Sequence, residues 1–394
     1  MDKIEEILTR GVEKTYPSKD DLEKVLRSGK KLKIYQGFDP TGIQLHIGHM
    51  VGLRKLREWQ NLGHEVIFLI GTGTGQAGDP SGKLKTREKF LTEEELKANS
   101  VDYVKQAAKI VRFDGENPVK IVFNGDWLNK LKLKDILNIA GHFSLQQLAE
   151  RDLFQERMKK GEDVNLREFM YPLLQAYDSV VLEVDLEMGG SDQTFNMLTG
   201  RRLEKAMIGK DKFVMTTPLL TDSKGIKIGK TEGNVIALTD NPNDLYSKIM
   251  GLPDDIVIKG FEYLTDVPIS EIKEIEKADN PMLAKKKLAH EIVRQLNTKE
   301  AADDAARHFE SIVQQKEMPE EIPTFKYSGP SNIGTADLLT QITLAPSKAE
   351  AKRLIEQGGV EIDNQRITNP SEQIEIKDKM IIKVGKRKFV RIKI

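Results

Sequence analysis

Two histidines three residues apart, His46 and His49, enclose an Ile and a Gly in the stretch "YQGFDPTGIQLHIGHM" (35–50), in a chain that has only six histidines. The stretch passes from β-type residues into an amphipathic run, which predicts that the pair occupies the first turn of a helix. Positions i and i+3 share a helix face, next to outward-pointing backbone N–H groups and the positive end of the helix dipole. Imidazole donors in that setting suit the negative charge of a polyphosphate, with Gly48 leaving room for close approach. Two other readings compete at this point. The pair is a helix cap, or it is part of a metal site, for which no carboxylate lies at suitable spacing.

Two further stretches carry chemistry. In "TDSKGIKIGKTEGN" (221–234), Lys227 and Lys230 lie three apart with Gly225 and Gly229 beside them and Thr231 following. A Gly-spaced double-lysine loop acts as a mobile cation clamp on charge that builds up in a transition state, although most basic Gly-containing loops are only solvated. In "GGSDQ" (189–193), glycines at a strand end allow a ribose to approach the backbone. Asp192 can accept hydroxyl hydrogen bonds there, and Gln193 offers both a donor and an acceptor.

These residues need elements to hold them. "KLKIYQ" (32–37), an amphipathic run over about 47–62 stopped by Gly63, and the apolar "EVIFLIG" (65–71) form a strand–helix–strand unit. "VKIVFN" (119–124), "VVLEVDLEMGG" (180–190) and "DKFVMTTPLL" (211–220) read as further buried strands. The expected fold is α/β: a doubly wound, Rossmann-like parallel sheet over residues 1–235. Helical patterns opened by Asn, Asp, Ser or Pro then predict a helical domain over 236–320. Residues 321–334, rich in Pro, Gly and Ser, are expected to be a linker. In the last sixty residues, Ser347 and Glu350 form a capping-box pattern before a helix stopped at Gly358–Gly359, and short alternating strands follow. From residue 335 onward there are twelve Lys/Arg against eight Asp/Glu, ending in Lys386, Arg387, Lys388, Arg391 and Lys393. This small α+β unit is either a solvated edge hairpin or a surface for nucleic-acid phosphate.

Composition narrows the classes. At 394 residues with 39% hydrophobic and 31% charged residues, the chain is globular and built of two or three domains. Lys+Arg and Asp+Glu both total 61, so a nucleic-acid partner would be held by local basic patches. The absence of cysteine excludes disulfides, thiolate metal sites and a Cys nucleophile. No apolar run is long enough to span a membrane, and the charged N-terminal stretch is not a secretory signal, so a cytoplasmic location is expected.

Taken in order, "HIGH" (46–49), "GGSDQ" and "KIGKT" (227–231) resemble the HIGH and KMSKS tags of the class I aminoacyl-tRNA synthetases. The second tag keeps both lysines but has Gly for its first Ser and Thr for its last. With "YQGFDPT" (35–41), "GDPSGK" (78–83), "YPLLQAYD" (171–178) and the carboxy-terminal unit, the chain is similar throughout to the bacterial-type tyrosyl-tRNA synthetases. The resemblance implies a tyrosine–tRNA ligase that uses ATP with Mg2+ and tRNA(Tyr), forms a homodimer through an insertion at about 120–165, and has no protein-bound metal. It implies that His46, His49 and Thr41 contact the phosphates, with Gly48 beside them, while Lys227, Lys230 and Thr231 close over pyrophosphate. Gly190 and Asp192 would hold the ribose, with Asp39 beside it and Gln36 of open role. Tyr35 and Asp178 would meet a phenolic hydroxyl; Asp79, Tyr171 and Gln175 would hold the α-ammonium, with Gln193 near the carboxyl end. Tyr171, Gln175 and Asp178 fall at i, i+4 and i+7, one helix face. The charged run at 156–168 reads as a solvated loop or as a contact for the tRNA acceptor stem. Rival readings are another HxGH nucleotidyltransferase, a tryptophanyl enzyme, and a non-catalytic RNA-binding relative.

Overall fold

The computed structural model describes residues 2–81, 90–228, 235–311, 322–363, 365–385 and 388–394. Lys230 and Thr231, and the basic residues Lys386 and Arg387, lie outside them. The chain divides into two compact units, Met1–Lys299 and Glu300–Ile394.

The first unit is built on six strands: β1 (Lys14–Tyr16), β2 (Lys33–Phe38), β3 (Glu65–Ile70), β4 (Lys120–Phe123), β5 (Leu186–Gly190) and β6 (Phe213–Thr217). Their order across the sheet is β1-β6-β5-β2-β3-β4, parallel except for β1, which runs antiparallel on β6. The central strand β3 is apolar because both its faces are covered, with Val66 to Ile70 all buried, whereas the edge strand β4, expected to be buried, exposes Lys120 and Ile121. From β2 the chain winds outward to β3 and β4, then returns to the other side of β2 for β5 and β6. That reversal leaves a crevice at the carboxyl ends of β2 and β5, the place where open α/β sheets bind ligands.

Three helices bring side chains to the crevice: α1 (Ile47–Asn61), α2 (Leu166–Leu182) and α3 (Thr194–Ile208). Helix α1 ends where Gly63 adopts φ +76°, a left-handed conformation that glycine takes without strain. Its far side is gripped by the rest of the unit. Buried Arg54 donates to the Thr265 carbonyl and to Asp266 at 2.7 Å, and buried Lys55 donates to the carbonyls of Ile7 and Arg10 at 3.0 and 2.6 Å. Helices Pro242–Met250 and Pro281–Leu296, each opened by an Asn cap and a Pro, belong to this same unit.

One expected strand is shorter than its apolar run. Val180, Val181 and Leu182 continue α2, which ends at left-handed Glu183, so β5 begins only at Leu186. A short apolar run fits a buried helix turn as well as a strand, and the helix wins here because its inner face is already packed.

In the second unit the expected linker contributes strands. β7 (Thr324–Lys326) and β8 (Asn332–Gly334) precede α4 (Thr335–Gln341) and α5 (Lys348–Glu356), and β9 (Val360–Ile362), β10 (Gln365–Ile367), β11 (Gln373–Glu375), β12 (Ile381–Val384) and β13 (Lys388–Lys393) follow. The sheet runs β10-β9-β12-β13-β7, with β7 parallel to β13, and β8 pairs with β11. Residues 324–326 and 332–334 are therefore parts of sheets and not a spacer. The expected capping box is half formed: Ser347 Oγ accepts from the Glu350 N–H at 3.2 Å, but the Glu350 carboxylate turns to Arg353 at 2.6 Å.

Candidate active site

A cleft of about 290 Å3 occupies the crevice, walled by the ends of β2, β5 and β6 and by the first turn of α1. Every site residue expected from the sequence that lies among the described residues lines it, from Tyr35 and Asp178 to His46, His49 and Lys227.

The two histidines cap each other's backbone. His46 Nδ1 accepts from the Gly48 N–H at 3.1 Å, and His49 Nδ1 accepts from the His46 N–H at 3.2 Å. A backbone N–H can only donate, so both neutral imidazoles must carry their proton on Nε2. The cap uses the Nδ1 edge of each ring, so the phosphate reading would use the Nε2 edge. Gly48 has a local reason as well: a Cβ there would sit 3.0 Å from the His46 ring.

The loop that carries the lysines is anchored on both sides. Ile228 N–H bonds to the Leu220 carbonyl at 2.8 Å, while Ile47 N–H bonds to the Ile236 carbonyl at 2.9 Å and Leu238 N–H to the Leu45 carbonyl at 2.9 Å. The chain that follows the loop is therefore stitched to the start of α1. Lys227 Nζ reaches Asp192 Oδ2 at 2.7 Å. Gly190 leaves room beside it: a Cβ there would lie 2.8 Å from Asp192 Oδ1.

Asp39, expected beside a ribose, has both carboxylate oxygens engaged with protein. Oδ2 accepts the Tyr171 hydroxyl at 2.9 Å and Oδ1 accepts the Thr74 hydroxyl at 2.7 Å. Burial first, and the Asp39 charge second, push the Tyr171 hydroxyl well above its usual pKa, so it stays protonated and donates. Asp79 is tied to Ser81 and to Gln193, whose Nε2 donates to Oδ2 at 2.9 Å, while the Gln193 Oε1 accepts from Asn196 at 2.8 Å. Arg151, also buried, stands 3.7 Å from Asp79. Gln36 is buried against α1, where Gly52 makes its space: a Cβ at 52 would lie 2.4 Å from its Nε2.

Deeper in the cleft, helix α2 projects Tyr171, Gln175 and Asp178 as the spacing required. Asp178 accepts from Asn124 Nδ2 at 3.0 Å and from Trp127 Nε1 at 2.9 Å. Burial raises its pKa well above the carboxylate range, and these two donors oppose that rise. Tyr35 is buried with its hydroxyl 3.2 Å from Ser179 Oγ, and burial again raises its pKa, keeping it protonated. Asn124, Trp127, Ser179, Ser81 and Arg151 were not read from the sequence. One cleft thus holds a buried end of hydrogen-bonding side chains and an end that presents the Nε2 edges of two imidazoles and Lys227. The backbone N–H groups of Ile47, Gly48 and His49 are taken within the protein.

Comparison with known proteins agrees with that geometry. Residues 27–314 match the family described as tRNA synthetases class I (W and Y), and residues 336–379 match the S4 domain. The chain belongs to the class I tRNA synthetases of that W and Y type. Within them it groups with the bacterial tyrosine--tRNA ligases. It is 42% identical over 392 residues to that of Thermotoga maritima, covering 98% of this chain and 96% of the relative. To that of Dehalococcoides mccartyi it is 39% identical over 393 residues, covering 98% of both. Among solved structures, a C-terminally truncated mitochondrial tyrosyl-tRNA synthetase of Aspergillus nidulans superposes with a TM-score of 0.66 at 29% identity, over 78% of this chain and 92% of that one. The tyrosyl-tRNA synthetase of Archaeoglobus fulgidus, complexed with L-tyrosine, shares the fold with a TM-score of 0.61 at 21% identity, over 77% of this chain and all of that one.

Proposed function

We propose that this chain activates L-tyrosine with ATP, taken as its Mg2+ complex, and passes the tyrosyl group to the 3′ end of tRNA(Tyr). The observation that carries the reading is the sharing of one cleft by the Tyr35–Asp178 floor and the His46–His49 helix start. In the first step a tyrosine carboxylate oxygen bonds to the α-phosphorus, the bond from that phosphorus to the bridging oxygen breaks, and pyrophosphate leaves. In the second, a terminal ribose hydroxyl of the tRNA attacks the carbonyl carbon and AMP leaves. Neither step needs a covalent enzyme nucleophile. The protein's contribution is alignment and charge stabilisation.

On this reading the Nε2–H groups of His46 and His49, with Thr41, meet the phosphates. Lys227 is the described member of the clamp on pyrophosphate, and Lys230 and Thr231 follow it in sequence. Gly190 and Asp192 receive the ribose. Tyr35 and Asp178 hydrogen-bond the phenol. Asp79, Tyr171 and Gln175 surround the ammonium, with Asp39 holding Tyr171 in place, and Gln193 stands near the carboxyl end.

The S4 domain match supports contact with tRNA through the carboxy-terminal unit. A homodimer is supported by Leu133, Leu137, Leu145 and Leu166, all more than 60% exposed within one stretch of the first unit. Among the described residues no helix is long and apolar enough to cross a membrane, and no group of three metal-ligating side chains is present. Charging of tRNA(Tyr) with labelled tyrosine tests the proposal. Deleting residues 322–394, which removes β7 and β8 together with the strands they pair with, should leave pyrophosphate exchange nearly intact while crippling charging; equal loss of both would make that segment a folding element instead.

A further inference from the structure

Behind the cleft wall lies an ion pair that the reaction does not touch. Lys212 Nζ contacts Glu187 Oε2 and Ser179 Oγ, with the Lys212 side chain 0% and that of Glu187 2% exposed. Glu187 Oε1 accepts from Gln175 Nε2 at 3.0 Å, and Ser179 Oγ meets the Tyr35 hydroxyl at 3.2 Å. Helix α3 crosses this cluster at Gly200, where a Cβ would lie 2.8 Å from Lys212 Nζ, 2.9 Å from Ser179 Oγ and 3.1 Å from Glu187 Oε2. A side chain there would require the cluster to shift.

A buried ion pair is a poor source of stability, because apolar residues of the same volume usually do as well. What it does fix is the direction of hydrogen bonds. With the lysine ammonium against it, Glu187 is an anion and can only accept. Gln175 must then give its Nε2–H to Glu187, which leaves Oε1 as the amide's other edge, and that atom is buried with no hydrogen-bond partner among the described residues. Ser179 Oγ accepts from Lys212 and donates toward Glu187 Oε2 at 3.4 Å, so its remaining lone pair takes the Tyr35 O–H. The Tyr35 oxygen is thereby left with lone pairs to offer.

We infer that the Lys212–Glu187 pair sets the hydrogen-bond polarity of the amino-acid site, making Gln175 an acceptor for an α-ammonium and Tyr35 an acceptor for a phenolic hydroxyl. Lys212 and Glu187 are positioning residues, and the inference rests on the reading of this cleft as a tyrosine site. It assigns the selection of donor groups at the two ends of the substrate to one charge pair that touches neither.

The test is steady-state ATP–pyrophosphate exchange on the full chain with tyrosine and ATP varied separately. The double variant Glu187→Leu/Lys212→Met removes both charges together, so its melting temperature should stay near that of the parent. Its KM for tyrosine should rise about 10- to 100-fold while the KM for ATP stays within about twofold. Glu187→Gln, read by calorimetric titration of tyrosine, gives a second measurement, because its amide frees Gln175 to flip and should weaken tyrosine binding similarly. An unchanged tyrosine KM in the double variant, or a parallel rise for tyrosine and ATP, overturns the inference. A parent chain with no tyrosine-dependent exchange overturns the underlying functional reading instead.

Discussion

Lys227 Nζ and Asp192 Oδ2 form an ion pair 2.7 Å long at the cleft, joining the lysine loop to the end of β5. Both side chains are about one-third exposed, so the pair is worth less than about 1 kcal/mol and opens at little cost. On the proposed function, a ribose that takes the hydrogen-bonding capacity of Asp192 would release Lys227 to the developing pyrophosphate. Lys227→Met should lower kcat for exchange on the order of 10²–10³-fold while leaving the KM for tyrosine unchanged. Separate titration of the two substrates distinguishes this from a binding defect, which would move KM and spare kcat.

The double role of His46 can be split by two substitutions. Asn places Oδ1 where the imidazole has Nδ1, so His46→Asn keeps the cap on the Gly48 N–H and loses the outer donor. Thermal unfolding should change little and kcat should fall on the order of 10²–10³-fold. Gln places a donor near the Nε2 position and loses the cap, so His46→Gln should cost about 1 kcal/mol of stability and retain more activity. Equal activity in both variants would remove the phosphate role from His46.

Selection of the phenol should fail at Tyr35. Tyr35→Phe removes one polar partner from a buried floor that is otherwise satisfied by Ser179, Asn124 and Trp127. The ratio of kcat/KM for tyrosine over phenylalanine should fall about 10- to 100-fold. Competition between the two amino acids in exchange measures it directly.

Acid stability should report on His64. Its Nδ1 accepts the Leu32 N–H at 3.1 Å at the start of β2, and its ring packs against Trp59. Burial, helped by the Lys31 charge, lowers its pKa to about 4. The folded-state value is below the unfolded one, so the stabilisation is complete above about pH 6.5 and is lost as pH falls toward 4. The shift is worth about 3 kcal/mol. His64→Asn keeps an acceptor and removes the titration, so denaturant unfolding of the variant should show a flatter limb between pH 6.5 and 4.

Much of the candidate site was legible because its residues are near neighbours in sequence. "HIGH" and "GGSDQ" each sit on one turn, and Tyr171, Gln175 and Asp178 follow one helix period. The partners that hold them were not legible, because they come from elsewhere in the chain: Asn124 and Trp127 reach Asp178 across more than fifty residues. A weak signal for the buried pair did exist, since Glu187 is the one charge within β5 and Lys212 immediately precedes β6, where a buried charge needs a partner. The β7 and β8 strands were hidden because three-residue strands flanked by Pro, Gly and Ser carry no period.

The most direct measurement is ATP–pyrophosphate exchange on the full chain with each of the twenty amino acids in turn, Mg2+ present. Tyrosine should support exchange far above the others, with phenylalanine and tryptophan near background. Exchange driven by tryptophan or another amino acid, and none by tyrosine, would contradict the assignment of the Tyr35–Asp178 floor and with it the account of this site.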